Sequence, residues 1–139
     1  EFFKNFELNL IIVACNTVSA YALDEMRDAS DCPVIGVVEA GVQATVNTLK
    51  KKDASILILA TKATINSKAY EKQLRLYGYS NLQAKATGLF VPLVEEEIYC
   101  GAILEETFKY YFKDIQNPPD AIILGCTHFP LIADALSRY

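Results

Sequence analysis

Two stretches of this chain repeat one design. Residues 8–17 read LNLIIVACNT and residues 121–128 read AIILGCTH. Each has an apolar run, a small residue, a Cys, and then two side chains able to hydrogen-bond. Apolar runs of this length, rich in branched residues, read as strands buried on both faces, as in parallel sheets. Behind the first, the apolar spacing turns helical at Val18, Ala22 and Met26. Behind the second stands Pro130, suited to the first turn of a helix. Each Cys is therefore predicted at a strand-to-helix junction, where free backbone N–H groups and the helix dipole favour a thiolate.

The rest of the chain keeps the alternation. Residues 1–7 read as the tail of a helix, 8–15 as a strand and 17–29 as a helix. A second strand is predicted over 34–38, closed by a turn at Glu39, Ala40 and Gly41. Val42, Val46 and Leu49 then mark a helix ending at three solvated lysines, 50–52. Residues 55–60 form the third predicted strand, and Tyr70, Leu74 and Tyr77 a helix whose aromatic residues are assigned to the core, stopped by Gly78. Around 82–90 a strand or loop is expected. A helix starts at Pro92, carries three glutamates, pauses near Gly101 and resumes through Leu104, Phe108, Tyr111 and Phe112. After the stop at 117–120 come the last strand and a helix only begun at Tyr139. Alternating strands and helices mean βαβ units, hence an α/β fold of three layers, α/β/α, with a mostly parallel sheet. Ligands in such sheets sit at the carboxyl ends of strands. Cys15, Thr61 and Cys126 all end predicted strands and so are expected to share one crevice.

Composition narrows the function. The chain has 139 residues, 52% hydrophobic, enough for a sizeable core. With 13 basic and 17 acidic residues the net charge is −4, which argues against nucleic acid or an anionic membrane as partner. The longest apolar run, 10–15, falls far short of the roughly 20 residues that span a bilayer. The start at Glu1, without Met and without a basic segment ahead of a long apolar core, leads us to expect no signal peptide and a piece of a longer cytoplasmic protein. The four cysteines form no C-x-x-C, and there is one His, so no metal site is expected and all four are read as thiols. Cys32 and Cys100 are assigned to packing or surface.

Two thiols facing one pocket suit the movement of a proton from one face of a carbon to the other. One thiolate takes the α-proton and the opposite thiol returns one. An unperturbed thiol pKa near ~8.5 makes this workable, and the two thiols need different neighbours to hold opposite protonation states. His128 stands beside Cys126, and Asn16, Thr17, Thr61, Thr64 and Thr127 supply donors for carboxylates and developing charge. A rival is a hydrolase with Cys126 as nucleophile and His128 as base. A spacing of two at such a turn is expected to aim the imidazole badly, and Cys15 would go unused. A non-catalytic α/β binding module is the third reading.

The motifs Ala14-Cys15-Asn16-Thr17, with Ser19-Ala20, and Leu124-Gly125-Cys126-Thr127-His128-Phe129-Pro130-Leu131 together resemble the glutamate racemases of the cofactor-independent aspartate/glutamate racemase family. Segments 34–39, 60–64 and 90–95 match the same pattern. The resemblance implies interconversion of L- and D-glutamate without pyridoxal phosphate, supplying D-glutamate for peptidoglycan in the bacterial cytoplasm. Aspartate or a related amino acid is the alternative substrate. By the family pattern Cys15 and Cys126 are the acid/base pair, with His128 supporting Cys126. Asn16, Thr17, Thr127 and His128 bind glutamate, and Thr61, Thr64 and Glu95 line the site. Two similar α/β domains then enclose the substrate, with 1–37 a piece of the first and 38–139 most of the second, in a homo-oligomer. The family's N-terminal Asp-Ser and Tyr-Gly motifs do not occur ahead of Cys15, and its C-terminal segment is not reached. The resemblance thus implies that this stretch alone is weakly active or a catalytically incomplete binding fragment. Val18, where many relatives carry Ala, is a mild departure.

Overall fold

In the computed structural model, which describes residues 2–139 apart from the Lys4 side chain, the first apolar run yields a short strand, β1 (Ile11–Val13). Two helices follow, α1 (Asn16–Tyr21) and α2 (Leu23–Asp28). β2 (Val34–Gly36) pairs with β1 in parallel, Ile11 opposite Val34. α3 (Val37–Thr48) leads to β3 (Ile56–Ala60), followed by α4 (Lys62–Ser67) and α5 (Ala69–Leu76). β4 (Leu82–Ala86), α6 (Phe90–Glu95) and α7 (Ala102–Phe112) come next. β5 (Ala121–Gly125) ends the strands, and a 3₁₀ turn (Phe129–Ile132) connects it to α8 (Ala133–Arg138).

β3 organises the larger unit. Every one of its residues is buried, and it lies between β4 and β5, parallel to both. Side chains alternate across a strand, so its two faces feed two cores. Leu57 and Leu59 pack with Phe90, Val94, Leu104, Phe108 and Phe129. Ile56 and Ile58 pack on the other side with Val38, Val42, Tyr70 and Leu74. Helices therefore cover both faces, giving the three-layer α/β arrangement expected. The smaller unit, β1 and β2, closes only a minor core of Val13, Leu23 and Val34. Ile12 and Ile35 of this sheet, and Phe2, Phe3 and Phe6 beside it, are exposed. Among the described residues no helix is long and apolar enough to cross a membrane.

Several boundaries differ from the sequence expectation. β1 takes three of the eight predicted residues, and Leu8 and Leu10 stand exposed. The helix expected over 17–29 breaks at Ala22 (φ −128°). The strand expected to reach residue 38 stops at Gly36, and the turn expected at 39–41 is helical. Val38 and Val42 lie one helical turn apart and both enter the larger core, which draws this segment into a helix. Arg27 fixes the start of α3 by donating to Val34 O (3.0 Å) and to Glu39 Oε2 (2.7 Å). Residues 2–5 form a 3₁₀ turn, and the helix expected from Pro92 starts at Phe90 and closes after Glu95.

Candidate active site

The carboxyl ends of β1, β3 and β5 carry most of the candidate residues. Cys15 is the N-cap of α1, extended (φ −89°, ψ 124°), and its exposed thiol makes no capping bond. Asn16 and Thr17 open that helix. Thr61 caps α4 by accepting from Thr64 N (3.3 Å). The hydroxyls of Thr17, Thr61 and Thr64 then form a triangle with sides of 3.0–3.1 Å. Each can donate to the next, and turning one hydrogen outward offers a donor to an anion.

Cys126 follows β5 directly and is 8% exposed. Its thiol pKa is raised, first by burial, against the opposing pull of the His128 and Thr127 backbone N–H groups; a charge on nearby Cys15 raises it further. The lowering expected from a helix N-terminus is thus outweighed here, because desolvation disfavours the thiolate more than the two N–H groups favour it. All four cysteines are free.

His128 corrects a second expectation. Its Nδ1 lies 3.6 Å from Cys126 Sγ, so a spacing of two does aim the ring at the thiol. Phe129 N donates to Cys126 O (3.1 Å), and this tight turn brings side chains 126 and 128 to the same side. Nε2 of His128 faces Glu95 Oε1 at 3.3 Å. In the tautomer that carries its proton on Nε2, toward the carboxylate, Nδ1 is left to accept from the thiol. Glu95 sits at the last position of α6, and its neighbours Glu96 and Glu97 are exposed.

Asn16 is buried, and its Oδ1 accepts from the Tyr70 hydroxyl at 2.6 Å. Tyr70 was not legible as a site residue: its spacing with Leu74 reads as core. A cleft of about 380 Å³ is lined in part by Asn16, Tyr70, Cys126 and Thr127. Thr127 is exposed. Cys15, Thr17, Thr61, Thr64, His128 and Glu95 do not line that cleft. A larger cavity of about 560 Å³ beside Phe3, Phe6, Leu8 and Met26 contains none of the candidate residues.

A profile of the Asp/Glu/hydantoin racemase family matches residues 4–139. The chain belongs to this racemase family. Among similar family members, the glutamate racemase of a Nitratiruptor species is 55% identical over all of this chain and 54% of its own length. The crystal structure of glutamate racemase from Campylobacter jejuni subsp. jejuni superposes with a TM-score of 0.96 at 54% identity, covering 99% of this chain and 55% of that one. Glutamate racemase from Francisella tularensis subsp. tularensis, in complex with D-glutamate, gives a TM-score of 0.86 at 36% identity, covering 99% and 51%. The chain of this racemase-family protein spans about half the length of the curated relatives it matches.

Proposed function

We propose that this chain is part of a glutamate racemase that interconverts L- and D-glutamate by proton transfer between two thiols, without pyridoxal phosphate. The observation that carries the reading is the pair of strand-end cysteines in unlike surroundings, Cys15 open after β1 and Cys126 buried after β5. The relatives' names favour glutamate over aspartate. In one direction the Cys15 thiolate removes the α-proton, and the Cys126 thiol delivers its own to the opposite face. Cys15 then holds the new proton and Cys126 the new charge. In the other direction Cys126 is the base, its proton having passed to His128 Nδ1, and the Glu95 carboxylate steadies the imidazolium. Asn16 and the hydroxyls of Thr17, Thr61, Thr64 and Thr127 hold the carboxylates and the charge that spreads into one of them.

The same reading divides the chain between residues 37 and 38, within the first turn of α3. Residues 1–37 are then a piece of a first α/β domain, and 38–139 most of a second, with glutamate between them. It includes a role in supplying D-glutamate for peptidoglycan, a cytoplasmic setting, and assembly as a homo-oligomer. The exposed apolar side chains of the smaller unit call for cover from further chain or a second copy. The isolated stretch is accordingly proposed to be weakly active or inactive.

The test is racemisation by the protein at its relatives' length, in D₂O. Deuterium at the α-carbon of the product, with none entering recovered substrate faster than product forms, is expected. Product that keeps its original α-hydrogen, or activity that requires added pyridoxal phosphate, overturns the reading. The Cys126–His128–Glu95 line also fits a thiol hydrolase. That reading requires an acyl group on Cys126 after incubation with a glutamate ester, and intact mass should instead stay unmodified.

A further inference from the structure

Tyr70 stands at the meeting point of the two halves of the site. Its ring is 3% exposed and held on both sides by glycine backbone. A Cβ at Gly41 of α3 would meet the Tyr70 hydroxyl at 3.1 Å, and a Cβ at Gly125 of β5 would meet its Cε2 at 3.1 Å. A side chain at either position would crowd the ring and require it to give by a few tenths of an ångström. The hydroxyl so placed donates to Asn16 Oδ1 at 2.6 Å, reaching from α5 across to the start of α1. Both residues line the same cleft as Cys126.

A side-chain amide has an acceptor end and a donor end, and a hydrogen bond to one fixes the direction of the other. Tyr70 occupies the Oδ1 end. Among the described residues Asn16 Nδ2 has no hydrogen-bond partner and is not among the sealed-off polar atoms, so it keeps solvent contact, and Asn16 lines the cleft. Burial, and secondarily the charge of Cys126, pushes the hydroxyl pKa up to about 12, so it remains a donor throughout the working range.

We infer that Tyr70 is a positioning residue that locks the Asn16 amide with its donor end toward the cleft, where it binds a carboxylate of the amino-acid substrate. This rests on the racemase reading above. Without the lock the amide turns over, and an acceptor then faces the substrate's negative charge.

The experiment is kinetic, on the protein at its relatives' length, with Tyr70→Phe, Asn16→Ala and the double variant. Tyr70→Phe keeps the ring and deletes only the donor. It is expected to raise KM for both enantiomers about tenfold, in keeping with the loss of one buried hydrogen bond, with kcat changed less than about threefold. In the Asn16→Ala background Tyr70→Phe should cost nothing further. An equal KM penalty in both backgrounds, or a fall in kcat alone, overturns the assignment. Should Tyr70→Phe not fold, Asn16→Asp decides. It preserves the acceptor for Tyr70 and removes the outward donors, so it must weaken binding at least as much as Asn16→Ala. Tolerance of Asn16→Asp contradicts the lock. Failure of the wild-type protein to racemise in the same assay would instead indict the racemase reading itself.

Discussion

At the scale of single residues, burial sets the two thiols apart. Cys126 is enclosed and its pKa raised, so it stays protonated to higher pH than an ordinary thiol and holds a proton ready to give. In alkylation by iodoacetamide, which needs thiolate, Cys126 should react at least about tenfold more slowly than the exposed Cys100 near neutral pH. Its rate should keep climbing with pH until the pH reaches its raised pKa and level off above it. Peptide mass mapping over a pH series checks this, and equal rates at neutral pH would contradict it. The residues that carry this asymmetry were partly legible. An apolar run ending in Cys marks a strand end from sequence alone, so Cys15, Cys126 and the adjacent His128 and Thr127 could be singled out. Tyr70 could not. A tyrosine at core spacing gives no sign of where its hydroxyl leads, and here it reaches a residue 54 positions away. Glu95 was singled out from the family pattern, but its partner was not: α6 sets it opposite His128.

At the scale of elements, β3 positions the site by being buried on both faces. Thr61 at its end and Cys126 at the end of its neighbour β5 share one edge because the strands are parallel and in register, Ala60 opposite Gly125. Leu59 is fully buried in the core under α6 and α7, so Leu59→Ala is expected to destabilise by about 2–5 kcal/mol, the usual cost of such a deletion. A shift in the urea midpoint at unchanged slope reports it, and a loss below ~1 kcal/mol would mean the two-faced packing is wrong. The sequence pattern located β3 well, since a continuous apolar run has one reading when short. It mislaid the start of α3, because Val37 and Val38 are equally at home in a strand. Only the packing of Val38 with Val42 under the larger sheet decides for the helix.

At the scale of the whole molecule, two unequal units meet along α1. Thr17 bonds to Thr61 and Thr64, Asn16 to Tyr70, and Tyr21 to Ala63 O, so the Cys15 loop is tied to the larger unit by polar contacts. Cys15 and Cys126 thus follow strands of different sheets, which is what the proposed two-sided proton transfer asks for. The seam itself was beyond the sequence, because hydrogen bonds between distant side chains leave no periodic trace. The central claim is that each thiol serves one face of the same α-carbon. The most direct measurement uses Cys15→Ser and Cys126→Ser in the protein at its relatives' length, assayed with both enantiomers of a glutamate analogue bearing a good leaving group. Elimination needs only the base that faces the α-hydrogen, whereas racemisation needs both thiols. Each variant should lose racemisation by at least about a thousandfold, yet eliminate from one enantiomer only, and the two variants should choose opposite enantiomers. Full racemisation by either variant, or the same enantiomer preferred by both, would contradict the account.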